Sequence, residues 1–190
     1  MTLKSLVIYF SPGGNTKKVA GAIVRGLEDR GADVKCLPLQ QAGEEHLYAY
    51  DLVCLGAPAY NFTVPAPVGR YVKEQLRRAQ TQDRVRLRAP TFPHKWAVIF
   101  VTYAGPHTGV DEATPAGDHM AQMFRHLGFE IRGKWYTVGE FHDENSPSNL
   151  YGRLGDIRGR PNAHDLGVIQ SNAAGLAFVL EHEKVSAEED

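Results

Sequence analysis

Short, almost wholly apolar runs alternate along this chain with segments whose apolar residues recur at helical spacing. That alternation narrows the fold more than any other feature. Residues 6–10 form the first run, bounded by a Ser-Pro-Gly-Gly turn. A continuous apolar run of this length suits a strand buried on both faces, as in a parallel sheet. A helical pattern follows from about Thr16, with Val19, Ile23 and Leu27 spaced at i, i+4, i+8 and Ala20 and Val24 beside them. Gly31 supplies its stop. Residues 33–37 and 51–56 are the next strand candidates. Val68, Tyr71, Val72 and Leu76 then mark a second amphipathic helix.

Residues 96–101 are a fourth buried strand, and Thr114 followed by Pro115 reads as an N-cap with Pro at the first helical position. Met120, Met123, Phe124 and Leu127 give that helix its stripe, and Gly128 ends it. Residues 129–138 are the fifth strand candidate, and 139–161, rich in Gly, Pro, Asn and Arg, are an irregular excursion. Asn162 is placed to cap a last helix carrying Leu166, Ile169, Ala173, Leu176 and Leu180. The order βα-β-βα-βα-βα predicts a doubly wound α/β domain over residues 1–185, with an acidic tail at 186–190. Right-handed crossovers leave few topologies, and five strands favour the order 2-1-3-4-5 with helices on both faces. Ligands of such a sheet sit outside the C-terminal ends of strands 1 and 3.

Composition excludes several classes. Apolar residues make up 43% and the net charge is −1, so no charge imbalance points to nucleic acid or an anionic membrane surface. No apolar run approaches the ~20 residues of a membrane helix. The first strand-like run starts too early to leave room for a signal peptide, so the cytoplasm is the expected location. The two cysteines, Cys36 and Cys54, fall on strands 2 and 3. In the order 2-1-3 they stand two strand steps apart, roughly 9–10 Å, too far for a disulfide. The eight histidines show no metal-ligand spacing. His119 and His126 are seven apart, and His142, Asp143 and Glu144 read as a local polar turn. No metal is expected.

Chemistry concentrates where the first strand meets the first helix. Ser11, Pro12, Gly13, Gly14, Asn15 and Thr16 make a tight turn in which glycines let the backbone wrap an anion. Free N–H groups and the positive end of the helix dipole then hold a phosphate. The turn lacks the Gly-Lys-Ser/Thr ending of a nucleoside-triphosphate loop and the G-x-G-x-x-G spacing of a dinucleotide fingerprint. A small phosphomonoester suits it better. A bare βα turn with Thr16 as N-cap would use the same residue types.

The stretch from Tyr9 to Thr16, followed by Val19 and Ala20, resembles the phosphate loop of flavodoxins, which bind flavin mononucleotide (FMN) through Ser/Thr-x-Ser/Thr-Gly-Asn-Thr. Gly13 stands where that family places a second hydroxyl residue. The likeness covers most of the chain. Gly56, Ala57, Pro58, Ala59 and Tyr60 are similar to the family's second flavin loop, and Thr102, Tyr103, Ala104 and Gly105 to its third. The resemblance implies an FMN site in which Tyr60 and Tyr103, with Phe62 nearby, flank the ring, and aromatic faces disfavour a reduced flavin anion. Asn61 tolerates left-handed backbone and matches the position of a peptide that meets the ring in flavodoxins; an ordinary turn residue is the alternative. His107 and Gly109 fall where backbone N–H groups would meet the pyrimidine edge, and His107 is also readable as a solvated loop residue.

Arg77, Arg78, Arg84, Arg86, Arg88 and Lys95 crowd one polar connection, and Arg153, Arg158 and Arg160 another. Each is a solvated loop or a docking patch for a redox partner protein or NAD(P)H phosphates. Other uses of this architecture lack their residues. The acidic pair and phosphoacceptor Asp of a phospho-receiver are replaced by Ser-Pro-Gly-Gly and Gly-Ala-Pro, and there is no G-x-S-x-G elbow. Cys54 lies inside a buried strand. The resemblance therefore implies FMN-dependent electron transfer. One form is an NAD(P)H-dependent oxidoreductase acting on a quinone or flavin; the alternatives are a flavodoxin-type carrier and a flavin-free interaction module. The near-neutral charge and the long excursion favour the oxidoreductase. Loops 57–65 and 102–109 hold no acidic residue, while His107 and the arginine clusters are potentially electropositive; that balance predicts a site that favours the reduced flavin anion and accumulates little semiquinone. A homo-oligomer is compatible with the sequence.

Overall fold

The computed structural model describes residues 2–143 and 145–186; Glu144 and tail residues 187–190 lie outside them. Five parallel strands run in the order β2-β1-β3-β4-β5. They are β1 (Lys4–Tyr9), β2 (Asp33–Pro38), β3 (Leu52–Pro58), β4 (Trp96–Tyr103) and β5 (Glu130–Val138). The helices are α1 (Asn15–Glu28), α2 (Ala66–Thr81), α3 (Thr114–His126), the single turn α4 (Ser148–Tyr151) and α5 (Ala163–Ser186). The expected strand order and alternation are both present. Short 3-10 turns break the β2–β3 connection at Leu39–Gln41 and Leu47–Ala49 and precede α3 at Gly109–Glu112.

The alternating strand period sorts the core into two layers. Leu6, Ile8, Val53, Leu55, Ile99 and Val101 face α2 and α3, meeting Val68, Val72, Met120 and Phe124. Val7, Cys54, Val98 and Phe100 face the other way, onto Val19, Ile23 and Leu27 of α1 and Ile169, Ala173, Ala177 and Leu180 of α5. The central strands β3 and β4 are buried almost throughout, while the edge strand β2 is largely exposed or half-buried. This is why their sequences read as continuous apolar runs. Each fully buried Leu, Ile or Phe contributes about 1.5–3 kcal/mol through lost apolar surface. Gly56 is required here: a side chain on it would overlap the Phe100 ring.

Cys36 and Cys54 both stand in register with Val7, one on each side, and both are free thiols. Strand 1 separates them as the strand order requires. Burial pushes the Cys54 thiol well up. The cap of α5 is as expected: Asn162 Oδ1 accepts from Asp165 N–H at 3.1 Å, and Asp165 returns the bond to Asn162 N–H at 2.9 Å. The cap of α3 is not. Thr114 is already helical, its hydroxyl donates to the Asp111 carbonyl at 3.3 Å, and Ala113 holds the cap position without a side-chain bond. The preceding 3-10 turn brings the chain in already coiled, so no side-chain cap is called for. The helix α5 extends to Ser186, one residue past the expected domain boundary.

At the pole formed by the strands' N-terminal ends, Asp51 accepts from the Lys4 backbone N–H at 2.9 Å and from Lys184 Nζ at 2.7 Å. The first strand and the last helix thus meet on one carboxylate. At the opposite pole two contacts fix the loops. The buried hydroxyls of Thr16 and Thr102 share a 2.8 Å hydrogen bond that ties α1 to the end of β4. Beyond β3, Tyr60 and Thr63 exchange backbone hydrogen bonds of 2.9 and 3.0 Å around a two-residue turn. Its central residues, Asn61 and Phe62, have φ of 46° and 66°. A left-handed phenylalanine is strained, because its Cβ crowds the following carbonyl.

Two stability changes follow. Replacing Thr16 with Val keeps the shape and strands the Thr102 hydroxyl, so the urea midpoint should fall by about 1–2 kcal/mol of stability; an unchanged midpoint would show that the hydroxyl pair carries no weight. Replacing Phe62 with Gly creates Asn-Gly, the preferred pair for this turn, and should stabilise by about 1 kcal/mol, raising Tm by roughly 2–4 °C. A lower Tm would mean that the ring is held by contacts that outweigh the strain.

Candidate functional site

The C-terminal ends of β1, β3, β4 and β5 surround one cleft, which encloses about 460 Å³ with its open solvent. Its floor is the turn into α1. Gly14 supplies the left-handed residue at the cap, with φ of 91°, and no acidic residue occupies the first turn of the helix. Ser11 Oγ accepts from Lys17 N–H at 2.9 Å, which closes the turn over itself. Among the described residues no hydrogen bond claims the backbone N–H groups of Gly13, Gly14, Asn15 or Thr16. They converge where the helix dipole is positive, the arrangement that holds a phosphate.

The second and third loops supply the walls. Pro58, Ala59 and Tyr60 line one side, and Thr102, Tyr103 and Ala104 the other. Tyr60 is 42% exposed and Tyr103 half-buried. Burial raises both phenolic pKa values, and for Tyr103 the nearby Arg160 acts in the opposite sense. Of the residues singled out from sequence, Ser11, Gly13, Asn15, Thr16 and these six line the cleft together. Gly14 shapes the floor through its backbone. Ala57 is buried in β3, and Asn61 lies at the outer turn.

The far end of the third loop departs from the expectation. Gly105 and Gly109, with φ of 53° and 73°, pack so closely that a side chain on Gly105 would meet the Gly109 backbone. The N–H groups of His107 and Gly109, expected to meet a ligand, are both engaged: His107 N–H, with that of Thr108, bonds Glu112 Oε1 at 2.7 and 2.6 Å, and Gly109 N–H bonds the Gly105 carbonyl at 3.1 Å. His107 is exposed and lies off the cleft lining. The two loops hold no acidic residue, as read from the sequence, but Glu140 brings a carboxylate to the cleft lining from outside them. Glu112 reaches back from the turn before α3, a contact that the limits 102–109 hide.

A fourth wall comes from the excursion. Gly139, Glu140, Phe141 and His142 line the cleft. Asn15 Nδ2 donates to the Glu140 carbonyl at 2.9 Å, and a side chain on Gly139 would collide with the Asn15 amide. His142 is exposed and lines the cleft together with Gly13. Phe141 is 40% exposed at the rim. The sequence held a signal for this wall: residues directly after a parallel strand emerge at the ligand-binding edge. Instead, His142 read as part of a local polar turn.

The arginine clusters part company. The segment from Arg84 to Lys95 joins α2 to β4 and so lies at the pole away from the cleft. Arg77 and Arg78 pair with Glu74 and Glu44, Arg84 stacks over Tyr48 at 4.8 Å, and Lys95 donates to the Tyr50 carbonyl at 2.8 Å. That cluster is structural and cannot serve a ligand in the cleft. Arg153 and Arg160 are on the cleft side. Arg153 N–H bonds the Pro106 carbonyl at 2.7 Å, and Arg160 pairs with Asp165 beside Tyr103. Arg158 pairs with Asp156 on the surface. Among the described residues no three His, Cys, Asp or Glu side chains group as metal ligands, and no helix is long and apolar enough to cross a membrane.

No family model and no curated protein matches the sequence. Solved structures do. A flavodoxin from the Archaea superposes with a TM-score of 0.64 at 17% identity, over 95% of this chain and 100% of the other. A WrbA-like flavodoxin protein from Agrobacterium tumefaciens gives 0.61 at 15%, over 96% and 99%. The flavodiiron protein from Giardia intestinalis gives 0.63 at 14% over 95% of this chain, which spans only 36% of that longer one. Near-complete coverage of two separate flavodoxin-like proteins, together with the strand order 2-1-3-4-5, establishes that this chain has the flavodoxin fold.

Proposed function

We propose that the cleft binds FMN and that the protein transfers electrons through it. The observation that carries this reading is the set of unclaimed N–H groups at Gly13–Thr16, aimed from the positive end of α1 into a cleft walled by Tyr60 and Tyr103. The donor set fits a phosphomonoester, and the two tyrosines offer aromatic faces for a planar ring. Ser11, Gly13, Gly14, Asn15 and Thr16 would hold the phosphate. Ala57, Pro58, Ala59, Tyr60, Asn61, Thr102, Tyr103, Ala104 and Gly105 would frame the ring, with His107 and Gly109 beyond it. When bound, FMN supplies reversible one- and two-electron chemistry. The chain's own part is to bind the phosphate, orient the ring and set the charge around it.

The finer reading is an NAD(P)H-dependent oxidoreductase acting on a quinone or flavin in the cytoplasm. It is supported by the near-neutral net charge of −1 and by Arg153 and Arg160 on the cleft side. A second reading, an electron carrier serving a redox partner protein, is favoured by Glu140, whose carboxylate belongs to the cleft lining and opposes negative charge on a reduced ring.

One set of measurements tests both levels. The purified protein should bind FMN more tightly than riboflavin. Replacing Gly14 with Val, which forces a β-branched residue into a left-handed position, should cost FMN about tenfold or more in affinity and riboflavin much less. Equal losses would assign Gly14 to the fold alone. Under anaerobic conditions NADH or NADPH should bleach the bound flavin and a quinone should restore its colour. FMN binding with no bleaching above the free-FMN rate would make the carrier reading the correct one.

A further inference from the structure

The fourth wall of the cleft hangs on one buried amide. Asn149, in the single turn α4, is fully buried. Among the described residues, all its side-chain hydrogen bonds go to the backbone of the segment that leaves β5. Its Oδ1 accepts from Phe141 N–H at 2.8 Å. Its Nδ2 donates to the Asp143 carbonyl at 3.0 Å and, more weakly, to the Phe141 carbonyl at 3.4 Å. These partners also set the amide's orientation, since the N–H needs the oxygen and the carbonyls need the nitrogen. The Asn149 carbonyl accepts from the N–H of buried Ile157 at 2.8 Å, which ties α4 to the later part of the excursion. From the other side, Gly139 N–H bonds the Tyr103 carbonyl at 2.8 Å and Asn15 Nδ2 the Glu140 carbonyl at 2.9 Å. Phe141 therefore has both backbone polar groups held by one side chain, while its ring stays 40% exposed in the cleft lining.

We infer that Asn149 is a positioning residue, which holds Phe141 as an apolar wall against the part of the ligand that FMN and riboflavin share. The inference rests on the reading of the cleft as a flavin site and adds a third aromatic residue to Tyr60 and Tyr103, each from a different loop. An aromatic side chain gains by leaving water, yet the excursion spends its fully buried amide on keeping this one at the cleft. A buried amide is a strict anchor, because any of its partners that moves away leaves an unpaired polar group out of reach of water. The Phe141 ring has no polar atom with which to read a phosphate. Its contact falls on the isoalloxazine and ribityl groups, and the phosphate is left to the turn before α1.

The test is titration of FMN and riboflavin into the flavin-stripped full-length protein, as wild type, Phe141→Ala, Asn149→Ala and the double variant. Phe141→Ala should lose about fivefold in affinity for both flavins, keeping the wild-type ratio between them. Asn149→Ala should lose as much, and the double variant no more than either single one, because the two changes remove the same wall. Asn149→Ser, which keeps a polar group in the buried space, replaces Asn149→Ala if that variant does not fold. An Asn149 variant that melts at a lower temperature yet binds both flavins like the wild type would assign Asn149 to stability alone and overturn the inference. So would losses that multiply in the double variant, or a Phe141→Ala protein with unchanged affinities or a loss confined to FMN. A wild type that binds neither flavin overturns the FMN reading and this one with it.

Discussion

The buried hydrogen bond between Thr16 and Thr102 is the joint on which the cleft depends. The phosphate turn is short, and a helix of 14 residues could tilt its first turn by several ångströms while keeping its apolar stripe in contact with the sheet. The bond removes that freedom by fixing the second residue of α1 to Thr102, the last residue but one of β4. The N–H groups of Gly13 to Thr16 are then held at the N-terminal end of α1, on the floor of the cleft that Tyr60 and Tyr103 also line. Ser11, which closes the turn onto Lys17, completes the same fixation from the other side. Preorganised donors cost no ordering at the moment of binding, which is how a small turn can hold an anion in water.

Charge is distributed between the two poles in a way that the totals conceal. At the pole away from the cleft, Arg77 and Arg78 of α2 are held in ion pairs and Arg84 of the α2–β4 connection stacks over Tyr48. On the cleft side the balance is set by few groups: Glu112 seated on two backbone amides, Glu140 in the wall, and Arg160 neutralised by Asp165 yet still felt at Tyr103. A carboxylate held by two amides is a fixed charge rather than a mobile one. It belongs to the electrostatic setting of anything bound beside it.

The parts of this molecule that were legible in its sequence are those encoded locally. Continuous apolar runs marked β3 and β4 because both faces of those strands are covered, and the glycine pair before Asn15 and Thr16 marked the turn because its chemistry is complete within six residues. Asn162 was readable as a cap for the same reason. Thr114 was misread because the cap rule assumes an extended approach, and the chain arrives there in a 3-10 turn. Glu112 was missed because it lies just past the loop limits 102–109, although its bonds to His107 and Thr108 are local, whereas residues 139–142 reach the cleft only when β5 lies beside β4 and the chain folds back over α1. No local pattern tells that a histidine will share a cleft lining with a glycine 129 positions away.

Asp51 has a meaning beyond local pairing. By accepting from Lys4 and from Lys184 it brings the beginning of the first strand and the end of the last helix to a single point. That point lies at the far pole from the cleft. Entry to and exit from the fold therefore share one doorway, and additional polypeptide joined there extends away from the binding surface. An architecture of this kind can be spliced into a longer protein as a plug-in unit, its ends leaving together and its working surface untouched. In the Giardia flavodiiron protein the matching region makes up 36% of a longer chain.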